Sequence, residues 1–187
     1  MSQSQTGSWS RRAFLKIGLG VAAGSLLPMP ALAAVLKRLD PQRKLTFYNI
    51  HTNESLSVCY YDQGVYRPQS LTRIDHILRD YRTGDVVPID PELLDVLFAL
   101  KCRIRSTVPF TVISGYRSPA TNAMLRRTTR GVARSSFHTK GRAIDIRLPG
   151  YNTRHLRDLC VKLQAGGVGY YPKHDFVHLD TGRVRTW

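Results

Sequence analysis

Two histidines and one aspartate have the residue types and the spacing of a metal site in this 187-residue chain. His138 and Asp145 lie in the segment SSFHTKGRAIDI (residues 135–146), and His178 lies in DFVHLD (residues 175–180). Two imidazoles and one carboxylate fill three corners around zinc and leave the fourth to a water, whose pKa the metal lowers to about 7. A closed structural site needs four protein ligands, usually with cysteines, and neither segment contains a cysteine. The spacing therefore predicts an open zinc site that performs hydrolysis.

The local sequence places the three predicted ligands on a loop and on two strands. Gly141 allows a sharp turn after His138, and residues 142–147 mix polar with small or apolar residues, as a short strand does. Residues 176–180 alternate with period two, which is typical of a strand. A lone histidine on a strand is more often structural than a metal ligand. We therefore predict His178 to be a ligand only in combination with the other motifs.

Further motifs make the pattern specific. SGYRS (residues 114–118) stands upstream of His138, Asp145 and the late His178, and in this order the chain resembles the M15 group of zinc peptidases. Within that group it is most similar to the MepK-like branch of murein endopeptidases, on the motifs NIHTNES (49–55), ISGYRSPATN (113–122), FHTKGRAIDI, GGVGYYP (166–172) and the terminal TGRVRTW. The resemblance covers essentially the whole chain after its N-terminal segment. It implies a zinc-dependent peptidase that acts on peptidoglycan, with a hedgehog or D-Ala-D-Ala peptidase-like fold.

Further residues of these motifs are candidates for contact with the substrate. Arg117 follows a predicted strand and a Gly-Tyr turn, so we expect its guanidinium near the metal, where it can stabilise negative charge on the carbonyl oxygen. The resemblance implies the same role, and a surface arginine is the alternative. Tyr116 and Ser136 are predicted to orient ligands or substrate, with a purely structural hydroxyl as the alternative for each. The sequence does not decide whether His51 is a site residue or a histidine in a turn.

Two aspartates are candidates for the residue that accepts the proton from the attacking water. Related enzymes often have Glu-x-x-His, in which the glutamate is the general base, whereas this chain has the shorter Asp175 three residues before His178. Asp180, two residues after His178 on the same strand face, is the rival. It can instead hold the histidine as a hydrogen-bond acceptor. We favour Asp175 as the base.

The first 33 residues have the organisation of an export signal. Arg11 and Arg12 precede Phe-Leu-Lys, an apolar stretch over residues 17–27 and the small residues before position 34. This order predicts a twin-arginine signal peptide that is cleaved after Ala33. The apolar stretch is too short for a membrane core of roughly 30 Å, which needs about 20 residues. We therefore expect a periplasmic protein without stable membrane insertion after cleavage.

Basic residues dominate the chain that remains after cleavage. The loss of three basic residues leaves 25 Lys and Arg against 13 Asp and Glu, a net charge of +12. Such a charge often indicates nucleic-acid binding, but the sequence has no recognised module for it and export separates the protein from the chromosome. We expect no nucleic-acid partner. A solvated basic surface explains most of the excess, and attraction to the carboxylates of peptidoglycan is the functional interpretation.

The remaining chain is predicted to form one α+β domain over residues 45–187, after a lead-in over residues 34–44. Strands are expected at 45–50, 56–61, 108–114, 142–148, 168–171 and 176–180, and helices after Ser70, at Asp90-Pro91, at Ser118-Pro119 and at Thr153. This order favours a small antiparallel sheet that carries the zinc site on one face and helices on the other.

The sequence thus predicts a periplasmic zinc endopeptidase that cuts peptide cross-links of peptidoglycan during cell-wall growth or remodelling. A D-Ala-D-Ala-type carboxypeptidase on the same scaffold is the enzymatic alternative. A non-catalytic, zinc-holding module that binds peptidoglycan is the alternative from a different class. Digestion of purified sacculi with and without a chelator distinguishes catalysis from binding, and the mass of the products distinguishes the two enzymes.

Overall fold

The structure, a computed structural model, describes residues 41–129 and 131–187. The predicted signal peptide and residues 34–40 of the predicted lead-in lie outside these residues. The strands are β1 (Gln42–Asn49), β2 (Ser55–Asp62), β3 (Val65–Tyr66), β4 (Phe110–Ser114), β5 (Ala143–Arg147), β6 (Gly167–Tyr171), β7 (Phe176–Asp180) and β8 (Arg185–Thr186). They form one eight-stranded sheet in the order β3-β2-β1-β4-β5-β7-β6-β8. β1 thus begins three residues before the predicted start of the domain.

The predicted α+β fold class is confirmed, but the sheet is larger than expected and mixed. β1 pairs in parallel with β4, and β6 pairs in parallel with β8, whereas the other neighbours are antiparallel. A parallel pair needs a long crossover, which the chain between β1 and β4 supplies. The strands β3 and β8 have two residues each, too few to leave an alternating pattern in the sequence.

The four α-helices are α1 (Pro68–Ile77), α2 (Pro91–Ile104), α3 (Pro119–Thr128) and α4 (Thr153–Leu163). Two short 3₁₀ helices cover Phe137–Lys140 and Pro172–His174. α2 and α3 begin where the sequence predicted, because Asp90 and Ser118 each accept a backbone N–H at the helix start and a proline follows each of them.

Two predicted helix starts were wrong. α1 begins at Pro68, after Arg67, so Ser70 lies inside the helix rather than at its cap. α4 is capped by Asn152, whose side chain accepts the backbone N–H groups of Arg154 and His155, and the predicted cap Thr153 is the first helical residue. In both cases a residue one to three positions upstream takes the non-helical backbone conformation that a cap requires.

Alternation along β5 and β7 separates the core from the candidate site. Ile144, Ile146 and Leu179 are at most 2% exposed and pack in the hydrophobic core, which includes buried residues of α2 and α4. Asp145 and His178 point to the opposite face of the sheet. The prediction that the helices pack on the face opposite the site is therefore correct for α2 and α4. It does not describe α3, which borders the site.

Among the described residues, no helix combines the length and the apolar character that a membrane crossing requires.

Candidate metal centre

The three predicted ligands lie together on the open face of the sheet. Asp145 of β5 and His178 of β7 are paired directly across the two strands. His178 Nδ1 lies 2.8 Å from Asp145 Oδ1, and His138 Nε2 lies 3.1 Å from His178 Nδ1 and 3.3 Å from Asp145 Oδ1. All three side chains are buried. The spacing predicted in the sequence thus produces one compact cluster of two nitrogens and one carboxylate oxygen.

The separations between the donor atoms fit a tetrahedral metal. Zinc bonds of about 2.0–2.1 Å at tetrahedral angles place neighbouring donors about 3.3 Å apart. The three observed separations lie between 2.8 and 3.3 Å. The cluster therefore needs little adjustment to hold zinc, and two imidazoles with one carboxylate are a common donor set for it.

The loop before β5 fixes the orientation of His138. Its Nδ1 lies 2.7 Å from Gly115 O, and because a carbonyl only accepts, Nδ1 carries the proton and Nε2 presents its lone pair to the cluster. Ser136 Oγ accepts the His138 backbone N–H at the start of the 3₁₀ helix. The turn then closes at Gly141 with φ 65°, where a Cβ would lie 2.4 Å from Pro88 O. Only glycine fits this closure without displacing the chain.

Asp180 fixes the orientation of His178 in a comparable way. Its Oδ2 lies 3.0 Å from His178 Nε2, on the side of the ring opposite the cluster, so Nδ1 is left to face the other two ligands. Asp180 also binds Arg185 through both carboxylate oxygens, at 3.0 and 2.7 Å, and accepts the backbone N–H of Gly182 at 2.8 Å. Its side chain is fully buried. Both oxygens are therefore engaged, and Oδ2 orients the histidine while Oδ1 accepts from Arg185 and Gly182.

Charges within the cluster determine where protons reside. Burial acts to raise the pKa of Asp145, but the neighbouring histidines hold it well below its usual range. Burial lowers the pKa of His138. Burial also acts to lower the pKa of His178, but hydrogen bonds with Asp145 and Asp180 outweigh it and raise the pKa to about 9.

Arg117 lies beside the cluster, as predicted. Its Nη2 is 3.6 Å from Asp145 Oδ2 and donates to Ser114 Oγ at 3.3 Å. Burial lowers the pKa of the guanidinium, and Asp145 opposes that shift. Its Nε is buried without a hydrogen-bond partner among the described residues. Arg117 also lines the cleft above the cluster, so its guanidinium lies beside the space open to a bound substrate.

A cleft of about 540 Å³ opens above the cluster and gives a substrate access to it. Its lining includes the three ligands with Arg117 and Ser136, together with residues to which the sequence had assigned no site role: Phe137, Tyr171, His174, Phe176, Arg185 and Trp187. The Trp187 ring lies 5.2 Å from that of His178, and its Nε1 donates to Tyr171 Oη at 2.9 Å. The last residue of the chain thus forms part of the site wall.

Comparison with known proteins identifies the family. Residues 38–187 match the family model described as peptidoglycan L,D-endopeptidase MepK. The chain belongs to this family. The MepK proteins of Escherichia coli (strain K12) and Shigella flexneri are each 42% identical to it over 179 residues, which is 95% of this chain and 97% of the relative. A relative from Haemophilus influenzae is 42% identical over 180 residues, 95% of each chain. The predicted M15-type peptidase family and the prediction of an enzyme are confirmed.

Tyr116, which was predicted to act at the site of this MepK family member, lies elsewhere, and so does His51, whose role the sequence left open. Tyr116 is 8% exposed and packs in the hydrophobic core, so its predicted contact with substrate is not supported. Burial, together with Asp85 and Asp80, raises the pKa of its hydroxyl. Ser136 does line the cleft, but its hydroxyl caps the short helix of His138 and thus orients a ligand. His51 stacks on Tyr81 with ring centroids 3.8 Å apart, away from the cleft lining.

Asp175 is not brought together with the metal ligands. Its side chain is 63% exposed, accepts a hydrogen bond from Thr153 Oγ1 and lies 3.9 Å from Arg147 Nη1. It borders a second pocket rather than the cleft. The cause is local: Asp175 follows the second 3₁₀ helix with φ 52°, a left-handed conformation, and lies before β7, so its spacing of three residues from His178 does not bring its carboxylate to the cluster.

Proposed function

We propose that this chain is a zinc-dependent endopeptidase that hydrolyses peptide cross-links of peptidoglycan, of the L,D type stated in the names of its relatives. The observation that carries the proposal is the cluster of His138, Asp145 and His178 beneath an open cleft. Family membership supports the peptidoglycan substrate. The separations between the donor atoms support zinc.

When bound, zinc supplies Lewis acidity and an activated water at neutral pH. His138 and His178 would hold it as neutral imidazoles, because Gly115 O and Asp180 each accept the proton on the ring nitrogen that faces away from the cluster. Asp145 would contribute the negative charge. Three protein ligands beside an open cleft would distinguish this site from a closed structural site, which has four.

Arg117 stabilises the negative charge that develops on the carbonyl oxygen of the scissile amide. Its guanidinium lies at the edge of the cluster and lines the cleft, where the carbonyl oxygen of a bound substrate is expected. A charge that is fixed before the reaction stabilises the transition state without reorganisation. Because burial removes competing water, this contribution is larger than at an exposed arginine.

For the proton acceptor we propose His174 in place of Asp175. Among the described residues that line the cleft, His138, Asp145 and His178 are ligands and Asp180 is engaged with His178 and Arg185. His174 is the remaining side chain there that commonly serves as a base near neutral pH. It belongs to the short helix that immediately precedes β7.

Export to the periplasm by the twin-arginine pathway is part of the proposal. Peptidoglycan lies outside the cytoplasmic membrane, so an enzyme that cuts it must cross that membrane. The paired Arg11 and Arg12 before a short apolar stretch supply a route by which the folded protein reaches its substrate.

Digestion of purified sacculi tests the function. The zinc-loaded protein should release cross-linked muropeptides as monomers, and a chelator should stop the release. Mass analysis of the products should show cleavage between two diamino acids. Loss of only a terminal D-alanine would instead indicate the carboxypeptidase, and binding to sacculi without any product would indicate the non-catalytic module.

A further inference from the structure

A second pocket lies on the same sheet face as the metal centre and has no part in the mechanism above. It encloses about 550 Å³. Tyr48, Thr111 and Arg147 form its floor as a row of paired positions across β1, β4 and β5. Arg147 follows the ligand Asp145 by two residues on β5, so the two side chains share one face about 7 Å apart along the strand. A substrate held at the metal can therefore extend into this pocket.

One positive and one negative side chain face each other in the pocket without a close ion pair. Arg147 Nη1 and Asp175 Oδ2 are 3.9 Å apart, with the two side chains 39% and 63% exposed. Asp175 Oδ1 accepts from Thr153, which holds the carboxylate in place. Among the described residues, Asp175 is the only charged partner of the Arg147 guanidinium. An exposed pair at this separation contributes little to stability, so both groups are available to a ligand.

We propose that this pocket binds a zwitterionic α-amino acid group of the substrate, with its carboxylate on Arg147 and its ammonium on Asp175. A guanidinium presents two parallel N–H donors that match a carboxylate, and a nearby aspartate matches the amine on the same carbon. A ligand with a carboxylate alone would meet repulsion from Asp175, and one with an amine alone would leave Arg147 unused. The pair therefore selects a group that has both charges.

The inference rests on the proposed function and specifies its substrate. Some diamino acids of peptidoglycan, such as diaminopimelate, have a side chain that ends in an amine and a carboxylate on one carbon, whereas lysine ends in an amine only. In a cross-link between two diaminopimelate residues, the one that supplies the scissile carbonyl keeps this side-chain end free. The position of Arg147 relative to Asp145 suits a side chain that starts next to the scissile bond.

Binding of two soluble stem tripeptides tests the pocket without requiring turnover. The peptides are L-Ala–γ-D-Glu–diaminopimelate and the same peptide with lysine, titrated into the zinc-loaded protein. Wild type should bind the diaminopimelate peptide at least about ten-fold more tightly, because only this peptide has the side-chain carboxylate that forms a hydrogen-bonded ion pair with Arg147. Arg147→Gln should abolish this preference while leaving the affinity for the lysine peptide unchanged.

Two further variants complete the design. Asp175→Asn should weaken both peptides, since both have the amine, and Arg73→Gln, which removes an exposed arginine of α1, should change neither affinity. Equal affinity of wild type for the two peptides, or a preference that survives Arg147→Gln, overturns the assignment. Digestion of sacculi by the same preparations separates the two proposals. An inactive protein that still discriminates between the peptides refutes the function only, and an active one that does not discriminate refutes the pocket only.

Discussion

His178 Nε2 lies 3.0 Å from Asp180 Oδ2, and the same carboxylate binds both terminal nitrogens of Arg185. This chain of contacts runs from the C-terminal strand to a metal ligand. It orients the imidazole so that Nδ1 faces His138 and Asp145. Burial acts to raise the pKa of Asp180, but the hydrogen bonds with His178, Arg185 and Gly182 together lower it below its usual range, so the carboxylate stays charged.

Asp180→Asn should weaken zinc binding by roughly 10- to 100-fold, the cost typical of a lost partner of a ligand histidine. The amide can still contact the ring, but it no longer provides a negative charge to hold the Nε2 proton. Competition with a chromophoric chelator measures the affinity, and Asp85→Asn serves as a control at an exposed aspartate. A variant that binds zinc normally yet has no activity would mean that Asp180 is the proton acceptor.

Removal of the metal should abolish activity and alter the fluorescence of Trp187. After cleavage at Ala33, Trp187 is the sole tryptophan, and its ring lies 5.2 Å from that of His178. Replacement of zinc by a quenching metal such as Cu²⁺ should therefore lower the emission in wild type. His138→Ala should lose both the metal and the quenching while it keeps most of the fold, because the core lies on the other face of the sheet. Retention of one zinc per chain by this variant would contradict the ligand assignment.

Much of this site could be predicted because its determinants are local in sequence. His138, Asp145 and His178 have ligand chemistry at a recognisable spacing, and Arg117 lies in a motif at the end of a strand. The motif spacing predicted that Asp145 and His178, from two separate strands, bind one metal, and the structure pairs the two residues directly. The helix caps Asp90 and Ser118, each followed by a proline, were predicted accurately, whereas Ser70 and Thr153 were not caps.

The rest depended on backbone geometry and on long-range pairing. Asp175 has φ 52°, and no sequence pattern signalled this backbone conformation or the hydrogen bond of its carboxylate with Thr153. Trp187 reaches the site only because the two-residue β8 pairs with β6. Gly169 permits this contact, since a Cβ there would lie 2.7 Å from the Trp187 ring. Contacts of this kind arise from the assembled sheet and not from any local segment.

Arg117→Gln should lower kcat by about 10²- to 10³-fold, the effect of removing one donor that stabilises a developing oxyanion. Zinc content should remain close to one per chain, because the ligand atoms are unchanged. KM should change less than kcat, since the interaction strengthens only as negative charge develops. Arg73→Gln is the matched control for the loss of one charge. An equal decrease in zinc content and activity would assign Arg117 to metal binding instead.

Replacement of Arg11 and Arg12 by lysines should leave precursor in the cytoplasm. The twin-arginine pathway reads the arginine pair itself, so conservation of charge is not sufficient. Fractionation with immunoblotting measures the ratio of precursor to mature protein. Arg126 and Arg127, which are adjacent arginines at the end of α3, provide the control for a pair outside the signal. Normal export of the variant with lysines at positions 11 and 12 would contradict the proposed pathway.

The last prediction separates His174 from Asp175. His174 lines the cleft with the ligands, whereas Asp175 borders the second pocket beside Arg147. If His174 accepts the proton, His174→Ala should lower kcat by roughly 10²- to 10⁴-fold while zinc remains bound. Asp175→Asn should act mainly on KM, because it removes a contact to a remote part of the substrate.

Steady-state kinetics on a soluble cross-linked dimer, with zinc content measured in parallel, distinguishes the two roles. His155→Ala is the matched control, since His155 lies at the start of α4 and is exposed. A large loss of kcat in Asp175→Asn, with His174→Ala close to wild type, would restore Asp175 as the base. That result would require the Asp175 carboxylate to leave Thr153 and turn toward the metal when substrate binds, since it faces away from the cluster here.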